Sequence, residues 1–215
     1  MTRFIFIRHG QSIANAQRRF AGHSDFDLSD IGKQQAQLTA DYISKNEKID
    51  VIYSSDLKRA YNTAVPTAAA LGMEIIPHLG FREIFAGDWE GMTTDDIEVK
   101  YTADFDVWKN DYAFSRCTGG ESTAEVYERA VAATLELARR HDGQCVLVST
   151  HATPIRALTA YSQGLSKERV GEVPFPCNAS LNVFTVEDGI LRAERTNITE
   201  HLGDIITGVH RSFGK

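Results

Sequence analysis

The sequence predicts an α/β fold, in which helices pack on a largely parallel sheet. Two observations lead to this prediction. Short apolar runs bounded by polar or small residues alternate with segments of helical periodicity, and the run at residues 3–7 is apolar enough to be a strand buried on both faces. The chain has 215 residues, 42% of them hydrophobic and 24% charged, which is typical of one soluble globular domain. We therefore predict a single domain over residues 1–215.

The predicted strands are short apolar runs, separated by turn signals. They occupy residues 3–7, 50–54, 73–76 and 145–149, and a hairpin formed by residues 181–186 and 190–194 completes the set. The hairpin turn is predicted at Glu187-Asp188-Gly189.

Three helices follow from apolar spacing and capping signals. Apolar residues at three- and four-residue spacing predict a helix over residues 57–71. Ser122 and Glu125 form a capping box, in which the Ser122 hydroxyl accepts a hydrogen bond from the Glu125 amide, and this box predicts a helix start. Another helix is predicted to begin with Thr153 as N-cap and Pro154 at the first helical position, where the missing N–H costs nothing.

The composition excludes several kinds of partner. The 23 basic and 29 acidic residues give a net charge of −6 without any basic run, so we expect no nucleic-acid partner. No apolar segment resembles a signal peptide or reaches the ~20 residues of a membrane span, so we expect a cytoplasmic protein with a small-molecule partner. Cys117, Cys145 and Cys177 have the spacing of neither a metal site nor a disulfide framework and are predicted to be reduced. The sequence leaves monomer and homodimer open.

Polar residues follow three of the predicted strands. Arg8-His9-Gly10-Gln11-Ser12 comes after the first strand, residues 54–59 after the second, and residues 149–156 after the strand at 145–149. Ligands of open α/β sheets bind beyond the carboxyl ends of the strands. We therefore expect two histidines and two arginines to converge on one rim: His9, His151, Arg8 and Arg59.

This combination suits a phosphoryl group. The forked guanidinium groups of Arg8 and Arg59 match phosphate oxygens, and Gly10 allows the backbone to approach closely. A neutral histidine aimed by a hydrogen bond on its other nitrogen is a nucleophile towards phosphorus. A second histidine, protonated, would stabilise negative charge on the equatorial oxygens.

Turnover also needs an acid that protonates the departing alkoxide. Glu83 is the candidate, but its segment also holds Asp88 and Glu90, and the residues alone leave the choice among the three open. The other histidines lack the setting of His9 and His151 and are predicted to be structural: His23, His78, His141, His201 and His210.

With these residues the sequence resembles the histidine phosphatase superfamily, which includes the cofactor-dependent phosphoglycerate mutases and many small bacterial phosphatases. The resemblance runs from Arg3 to about Val186. It is carried by Arg8-His9-Gly10-Gln11-Ser12 with Asn15, by residues 20–29 and 31–32, 54–60, 82–83 with 87–91, and 119–122, and by Ser149-Thr150-His151.

The resemblance implies a three-layer α/β/α sandwich, a phosphorylated nucleophile at His9, a proton donor at Glu83, no metal and no cofactor. The implied phosphate pocket consists of Arg8, Asn15, Gly22, Arg59, His151 and Ala152. Two positions depart from the family pattern. Ala152 stands where the family often has glycine, which makes the pocket wall bulkier, and Gln11 replaces a common glutamate, which removes a negative charge near the phosphate.

Within the family, the sequence favours a phosphatase over a mutase. The segment around Glu83 lacks the Glu-Arg-His-Tyr-Gly pattern of the mutases, and the stretch between Gly91 and Gly119 is shorter than theirs. We predict a metal-independent phosphomonoester hydrolase that acts through a phosphohistidine on a small phosphorylated metabolite. Mutase-type phosphoryl transfer and non-catalytic phosphate binding on the same fold remain alternatives.

Two other classes fit the residues poorly. A metal-dependent phosphoesterase would need carboxylates near its histidines, and neither His9 nor His151 has one within four residues. A nucleotide-binding module would show a glycine-rich phosphate loop after the first strand, and none occurs there.

Residues 93–118 are aromatic and acidic without a clean period, and we predict that they form an insertion or lid of the single domain. Their six acidic side chains outnumber three basic ones, which disfavours polyphosphorylated substrates. Two roles are open to the aromatic side chains: stacking on a flat or apolar leaving group or, preferred here, packing on the domain core. These residues are Tyr101, Phe105, Trp108, Tyr112 and Phe114.

Overall fold

The computed structural model describes residues 1–208, which contain one six-stranded sheet. In chain order the strands are β1 (Thr2–Arg8), β2 (Val51–Ser54), β3 (Ile75–Pro77), β4 (Cys145–Thr150), β5 (Leu181–Glu187) and β6 (Ile190–Ile198). Their order across the sheet is β3-β2-β4-β1-β5-β6. The first four strands run parallel, and β5 and β6 add an antiparallel edge. The predicted α/β fold around a mostly parallel sheet is confirmed.

Seven α-helices lie within residues 1–208: α1 (Ile13–Ala16), α2 (Asp30–Asn46), α3 (Lys58–Leu71), α4 (Thr94–Lys100), α5 (Thr102–Asn110), α6 (Thr123–Arg140) and α7 (Ala152–Ser162). The predicted capping box begins α6, where the Ser122 Oγ accepts from the Glu125 amide at 3.3 Å. No helix in this part of the chain is long and apolar enough to cross a membrane. His210, predicted to be structural, lies outside the described residues.

Strand β1 carries the core on both faces of the sheet because its side chains alternate between them. Phe4 and Phe6 pack with apolar residues of α6 and α7, whereas Ile5 and Ile7 pack with those of α2 and α3. The molecule is thus a three-layer α/β/α sandwich, and β1 is buried on both faces as the sequence predicts.

The start of α7 corrects the sequence prediction. The helix begins at Ala152, so that His151 is the N-cap and Pro154 the third helical residue, whereas Thr153 was expected as N-cap. Proline is tolerated here because the first amides of a helix have no partner within it. The amides of Ala152 and Thr153 donate instead to the carboxylate of Glu83, which comes from a distant loop.

Residues 93–118 contain α4 and α5, whose aromatic side chains pack inward. Phe105 and Trp108 are buried and stack with ring centroids 5.9 Å apart, and both contact the buried ring of Trp89. Phe105 and Trp108 therefore pack inward, which is the role that the sequence analysis preferred for the aromatic residues of this segment. Phe114 differs because 47% of its surface is exposed.

Candidate active site

The carboxyl ends of β1, β2 and β4 meet at one edge of the sheet. Arg8 pairs with Thr150 and Ser54 with Ser149, so the three strands end in register. His9 follows β1 directly, and its amide donates to the Thr150 carbonyl at 2.9 Å. The rings of His9 and His151 lie with their centroids 5.1 Å apart. The parallel sheet therefore brings the two sequence-predicted histidines together.

His9 is held as a neutral ring with a defined tautomer. Its Nδ1 lies 2.7 Å from the Gly10 carbonyl oxygen, which can only accept, so Nδ1 carries the proton and Nε2 keeps its lone pair. Burial, followed by the charges of Arg59 and Arg8, lowers the pKa of His9 well below its ordinary value. The ring is consequently a competent nucleophile at neutral pH.

His151, which the sequence predicts to stabilise negative charge when protonated, is fully buried next to Ser55. Its Nε2 and the Ser55 Oγ are 2.9 Å apart, and its Nδ1 has no hydrogen-bond partner within residues 1–208. Burial, followed by the charge of Arg59 and then of His9, lowers the pKa of His151 well below its ordinary value. A bound phosphate dianion would oppose this shift, because an adjacent negative charge favours the imidazolium.

Arg8 and Arg59 are buried cations, each held by backbone carbonyls. The Arg8 Nη1 donates to the Pro176 carbonyl, and the Arg59 guanidinium donates to the carbonyls of Ser24 and Gly22 at 3.0 and 2.7 Å. Within residues 1–208 neither arginine forms an ion pair, and neither Nε has a partner. Burial lowers both pKa values to about 10, so both groups stay charged at neutral pH. Two unpaired buried cations make this a site for an anion.

Gly22 positions Arg59 through its carbonyl, in a loop that only glycine fits. Its φ is +49°, and an added Cβ would stand 2.7 Å from the Ala86 Cβ and 2.9 Å from the Ala86 main-chain nitrogen. The Glu90 carboxylate accepts from the amide of His23 at 2.6 Å and from the hydroxyl of Ser24 at 2.7 Å. Glu90 therefore holds this loop in place.

Of the three candidate acids, Glu83 is the one that contacts the residues directly after His151. Its carboxylate accepts from the amides of Ala152 and Thr153, at 3.2 and 3.3 Å, at the first turn after His151. Asp88 is exposed, and Glu90 is engaged in the loop. The same contact means that the Ala152 amide, expected to bind phosphate, is engaged by Glu83 in this structure.

Asn15 lies in α1, directly after the His9 segment. Its amide donates to the Ser12 Oγ at 3.1 Å, and its Oδ1 accepts from the Ser12 amide at 3.2 Å and from the Asn178 Nδ2 at 3.1 Å. Ser12 and Asn15 thus cap α1 reciprocally. All six residues of the sequence-derived phosphate pocket lie in segments that meet at this edge of the sheet.

Sequence reasoning missed residues that support the site, among them Ser55 and Arg129. Ser55, which contacts His151, lies inside a stretch already singled out, so a signal existed. Arg129 on α6 donates to the carbonyls of Arg82 and Glu83 at 2.7 and 2.8 Å and pairs with Glu121. Its local sequence is that of an ordinary charged helix face, and nothing in it indicated this role.

The described histidines predicted to be structural form hydrogen bonds within the fold. His23 lies nearest to the site, with its Nε2 2.8 Å from the Glu83 carbonyl. His78 accepts from the Gly80 amide, and His141 and His201 contact Tyr53 and Thr39. Within residues 1–208 no three His, Cys, Asp or Glu side chains are grouped to hold a metal ion.

Comparisons with known proteins agree with this geometry. A family model described as histidine phosphatase superfamily (branch 1) matches residues 4–199. Phosphoserine phosphatase 1 of Hydrogenobacter thermophilus is 38% identical over 99% of this chain and 100% of its own. Phosphoglycerate mutase-like protein 4 of Arabidopsis thaliana is 36% identical over 86% of this chain and 80% of its own. Among solved structures, a mycobacterial glucosyl-3-phosphoglycerate phosphatase in complex with VO3 is 28% identical and covers 91% of this chain and 99% of its own, with a TM-score of 0.82.

Proposed function

Because this chain belongs to the histidine phosphatase superfamily, we propose that it hydrolyses phosphomonoesters of small metabolites through a phosphohistidine on His9. One observation carries the proposal. The His9 ring is neutral, with its Nδ1 proton committed to the Gly10 carbonyl, and it lies beside two buried guanidinium groups that have no carboxylate partner within residues 1–208. The lone pair of the His9 Nε2 therefore lies beside an anion-binding site formed by Arg8 and Arg59.

The proposed first step phosphorylates the enzyme. Arg8, Arg59 and Asn15 hold the phosphoryl oxygens, and the His9 Nε2 attacks phosphorus while the bond to the leaving oxygen breaks. Glu83, protonated, gives its proton to that oxygen. The arginines stabilise the charge that spreads over the equatorial oxygens in the transition state.

The proposed second step hydrolyses the phosphohistidine. Glu83, now a carboxylate, takes a proton from water as the water oxygen attacks phosphorus and the N–P bond breaks. Inorganic phosphate leaves, and His9 and Glu83 return to their starting states. Cationic side chains supply the neutralising charge in both steps, and we propose that hydrolysis needs no metal ion.

We propose a small monophosphorylated metabolite as substrate, with phosphoserine as the first compound to test. The relative that matches almost all of both chains is named a phosphoserine phosphatase. The acidic segment at residues 93–118 supports a substrate with one phosphate rather than several. The short stretch between Gly91 and Gly119 supports hydrolysis over a mutase reaction, which must retain a bisphosphate intermediate.

We also propose that the chain is one domain with residues 93–118 as its lid, and that it works in the cytoplasm. Support for a reducing compartment comes from Cys117, Cys145 and Cys177, none of which is in a disulfide. Cell fractionation tests the location.

The test is an assay of purified protein against a panel of phosphomonoesters, with and without chelator. The panel includes phosphoserine, glucosyl-3-phosphoglycerate, and 3-phosphoglycerate with a trace of 2,3-bisphosphoglycerate. We expect phosphate release that survives chelation, with negligible isomerisation of phosphoglycerate. Loss of activity in chelator that a divalent cation restores, or isomerisation faster than phosphate release, would contradict the proposal.

The covalent intermediate is tested by trapping it. Brief reaction with ³²P-labelled substrate should label the protein with acid-labile, alkali-stable phosphate, as expected of a phosphoramidate, and His9→Ala should abolish both label and turnover. His141→Gln is the matched control, because His141 contacts Tyr53 and Gln144 at the opposite end of the sheet. Label on serine or aspartate, or full activity in His9→Ala, would refute the assignment.

A further inference from the structure

Asn178 is a buried residue, 1% exposed, in the loop that leads into β5. Its Nδ2 donates to the carbonyl oxygen of His9 and to the Oδ1 of Asn15, both at 3.1 Å. One side-chain amide therefore contacts both the main chain of the proposed nucleophile and the side chain of a proposed phosphate ligand. Asn178 itself is not part of the sequence-derived pocket.

Main-chain groups fix the orientation of both asparagine amides. The His9 carbonyl can only accept, so the atom of Asn178 that faces it is the nitrogen. The Ser12 amide can only donate, so the atom of Asn15 that faces it is the oxygen. The Asn178 nitrogen and the Asn15 oxygen then meet as donor and acceptor. Neither amide can rotate by 180° without placing like groups against each other.

The fixed orientation determines what Asn15 offers to a ligand. Its Oδ1 already accepts two hydrogen bonds, from the Ser12 amide and from Asn178. Its Nδ2 forms no hydrogen bond within residues 1–208 and is not sealed from solvent. Both Nδ2 protons are therefore available to an incoming acceptor such as a phosphate oxygen.

Asn178 is itself held by the segment that ends the described chain. The main-chain amide of Asn178 donates to the Thr207 carbonyl at 3.0 Å, and the Thr207 Oγ1 donates to the Asn178 Oδ1 at 3.3 Å. The Thr207 Oγ1 also accepts a hydrogen bond from the Gln35 Nε2 at 2.9 Å. The Oε1 of the same Gln35 side chain accepts from the main-chain amide of Gln11 at 2.8 Å. A continuous series of hydrogen bonds thus runs from Gln11 back to His9.

We propose that Asn178 is a positioning residue for phosphate binding, acting through the Asn15 amide. By holding the Asn15 oxygen it presents the Asn15 NH₂ group to a phosphate oxygen, and by holding the His9 carbonyl it fixes the main chain that carries the nucleophile. This inference rests on the proposed function, since it assumes that Asn15 and His9 face the phosphate.

The test compares Asn178→Ala with Asn182→Ala. Asn182 is equally buried, at 1% exposure, and lies in β5. Within residues 1–208 its side-chain amide bonds to the main chain of Phe6 and Asn197 and to Ser180, and not to His9 or Asn15. Both variants lose a buried amide, so both should lower the thermal unfolding temperature. Only Asn178→Ala should raise the inhibition constant of inorganic phosphate, by about tenfold, the usual effect of one lost hydrogen bond to a charged group. Asn182→Ala should leave it within about twofold.

A double-mutant cycle distinguishes positioning from general damage. In an Asn15→Ala background, adding Asn178→Ala should change the phosphate inhibition constant by less than about twofold, because the effect on phosphate binding is proposed to act through the Asn15 NH₂ group, whereas the contact with the His9 carbonyl is proposed to position the nucleophile. If the tenfold effect persists there, or is missing in the single variant, the proposal is wrong. A wild-type protein that neither binds phosphate nor hydrolyses any monoester would instead overturn the proposed function, and this inference with it.

A second measurement avoids dependence on the folding of Asn178→Ala. In ¹⁵N-labelled wild-type protein, with the side-chain signals assigned from Asn15→Ala and Asn178→Ser, inorganic phosphate should shift the Asn15 NH₂ pair. The Asn178 NH₂ pair should stay protected from exchange with and without phosphate. An Asn15 pair that ignores saturating phosphate would overturn the proposal.

Discussion

At the scale of single residues, burial affects the arginines and histidines of the site differently. It lowers the pKa of Arg8 and Arg59 to about 10, which leaves them charged, and it lowers the pKa of His9 and His151 well below neutrality. Of these four side chains, only the two guanidinium groups therefore carry positive charge at neutral pH. The imidazoles are free to act as a nucleophile and as a hydrogen-bonding group.

The role of Glu83 is tested by the basicity of the leaving group. Glu83→Gln keeps the shape but removes the acid, and general acid help is worth ~10²- to 10⁴-fold where the leaving group is poor. Under single-turnover conditions, we expect this variant to lose a factor in that range on alkyl phosphates and less than about tenfold on nitrophenyl phosphate, whose phenolate barely needs the proton.

The control is Asp88→Asn, since Asp88 is exposed and should show no such dependence. If Glu83→Gln slows both ester types equally while Asp88→Asn or Glu90→Gln shows the leaving-group dependence, the acid is the neighbouring carboxylate.

The candidate site residues at the strand ends could be predicted from the sequence, because ligands of open α/β sheets bind beyond the carboxyl ends of the strands. His9 and His151 come directly after β1 and β4, and Arg59 lies in the first turn of α3, shortly after the end of β2. The residues behind them could not, because their partners are remote in the chain. Asn178 contacts Asn15 across 163 positions, and Arg129 reaches the Glu83 carbonyl across 46.

At the scale of elements, the N-terminus of α7 joins two parts of the site. A carboxylate at this end of a helix accepts from the free amides and is favoured by the helix dipole. The local sequence predicted the start of α7 two residues late, because Thr153-Pro154 resembles a capping signal while the group that satisfies the amides is Glu83, 69 positions away. Capping rules that consider only neighbouring residues cannot predict a cap that comes from a distant loop.

Ala152→Pro tests this junction. Proline fits the first position of a helix, and His151 has the extended backbone, φ −127° and ψ 178°, that a following proline requires. We expect a folded protein by circular dichroism, with kcat/KM on alkyl phosphates lowered about tenfold or more because one amide donor is lost. Thr159→Ala, within the same helix, is the control and should keep activity. Full activity in Ala152→Pro would show that this amide has no part in the reaction.

The segment at residues 93–118 joins the core through a buried cation. The Arg156 guanidinium of α7 lies 3.9 Å from the ring centroid of Phe175 and 4.6 Å from that of Tyr112. The segment is thereby attached to the helix that begins at the site. The aromatic composition predicted burial here, but the partner in α7 could not be read from it.

At the scale of the whole molecule, the sequence predicts the layers of the fold but not the order of the strands within the sheet. The alternation of strands and helices predicts the sandwich, because each apolar run must be covered on both faces. It does not predict that β1 lies between β4 and β5, since both neighbours are more than 130 positions away.

We expect the stability of the molecule to fall as the pH drops below about 6.5, the pKa of an unperturbed histidine. His9, His78, His151 and His201 all have lowered pKa values in the fold. Below pH 6.5 the unfolded chain therefore binds protons that the folded protein does not, which favours unfolding. Above that pH neither state is protonated and the penalty disappears.

Thermal unfolding between pH 7.5 and 5.5 measures this effect. We expect the midpoint to fall by at least 2–4 °C, the shift for ~1 kcal/mol in a chain of this size. Saturating phosphate should reduce the slope by favouring protonated rings, and replacing His9 and His151 with glutamine should reduce it without phosphate. A midpoint that rises or stays level on acidification would contradict the buried neutral state of these histidines.

The central position of β1 also has a consequence for biosynthesis. Cys145, the first residue of β4, follows Arg8 by 137 positions. At synthesis rates of ~5–20 residues per second, β1 leaves the ribosome roughly 7–27 s before its first sheet neighbour. During that interval the apolar side chains of Phe4, Ile5, Phe6 and Ile7 have no native neighbouring strand, which leaves an aggregation-prone segment uncovered. His9, the proposed nucleophile, is thus made well before β4 and the loop of Asn178, and a nascent chain completes this site only after both have emerged.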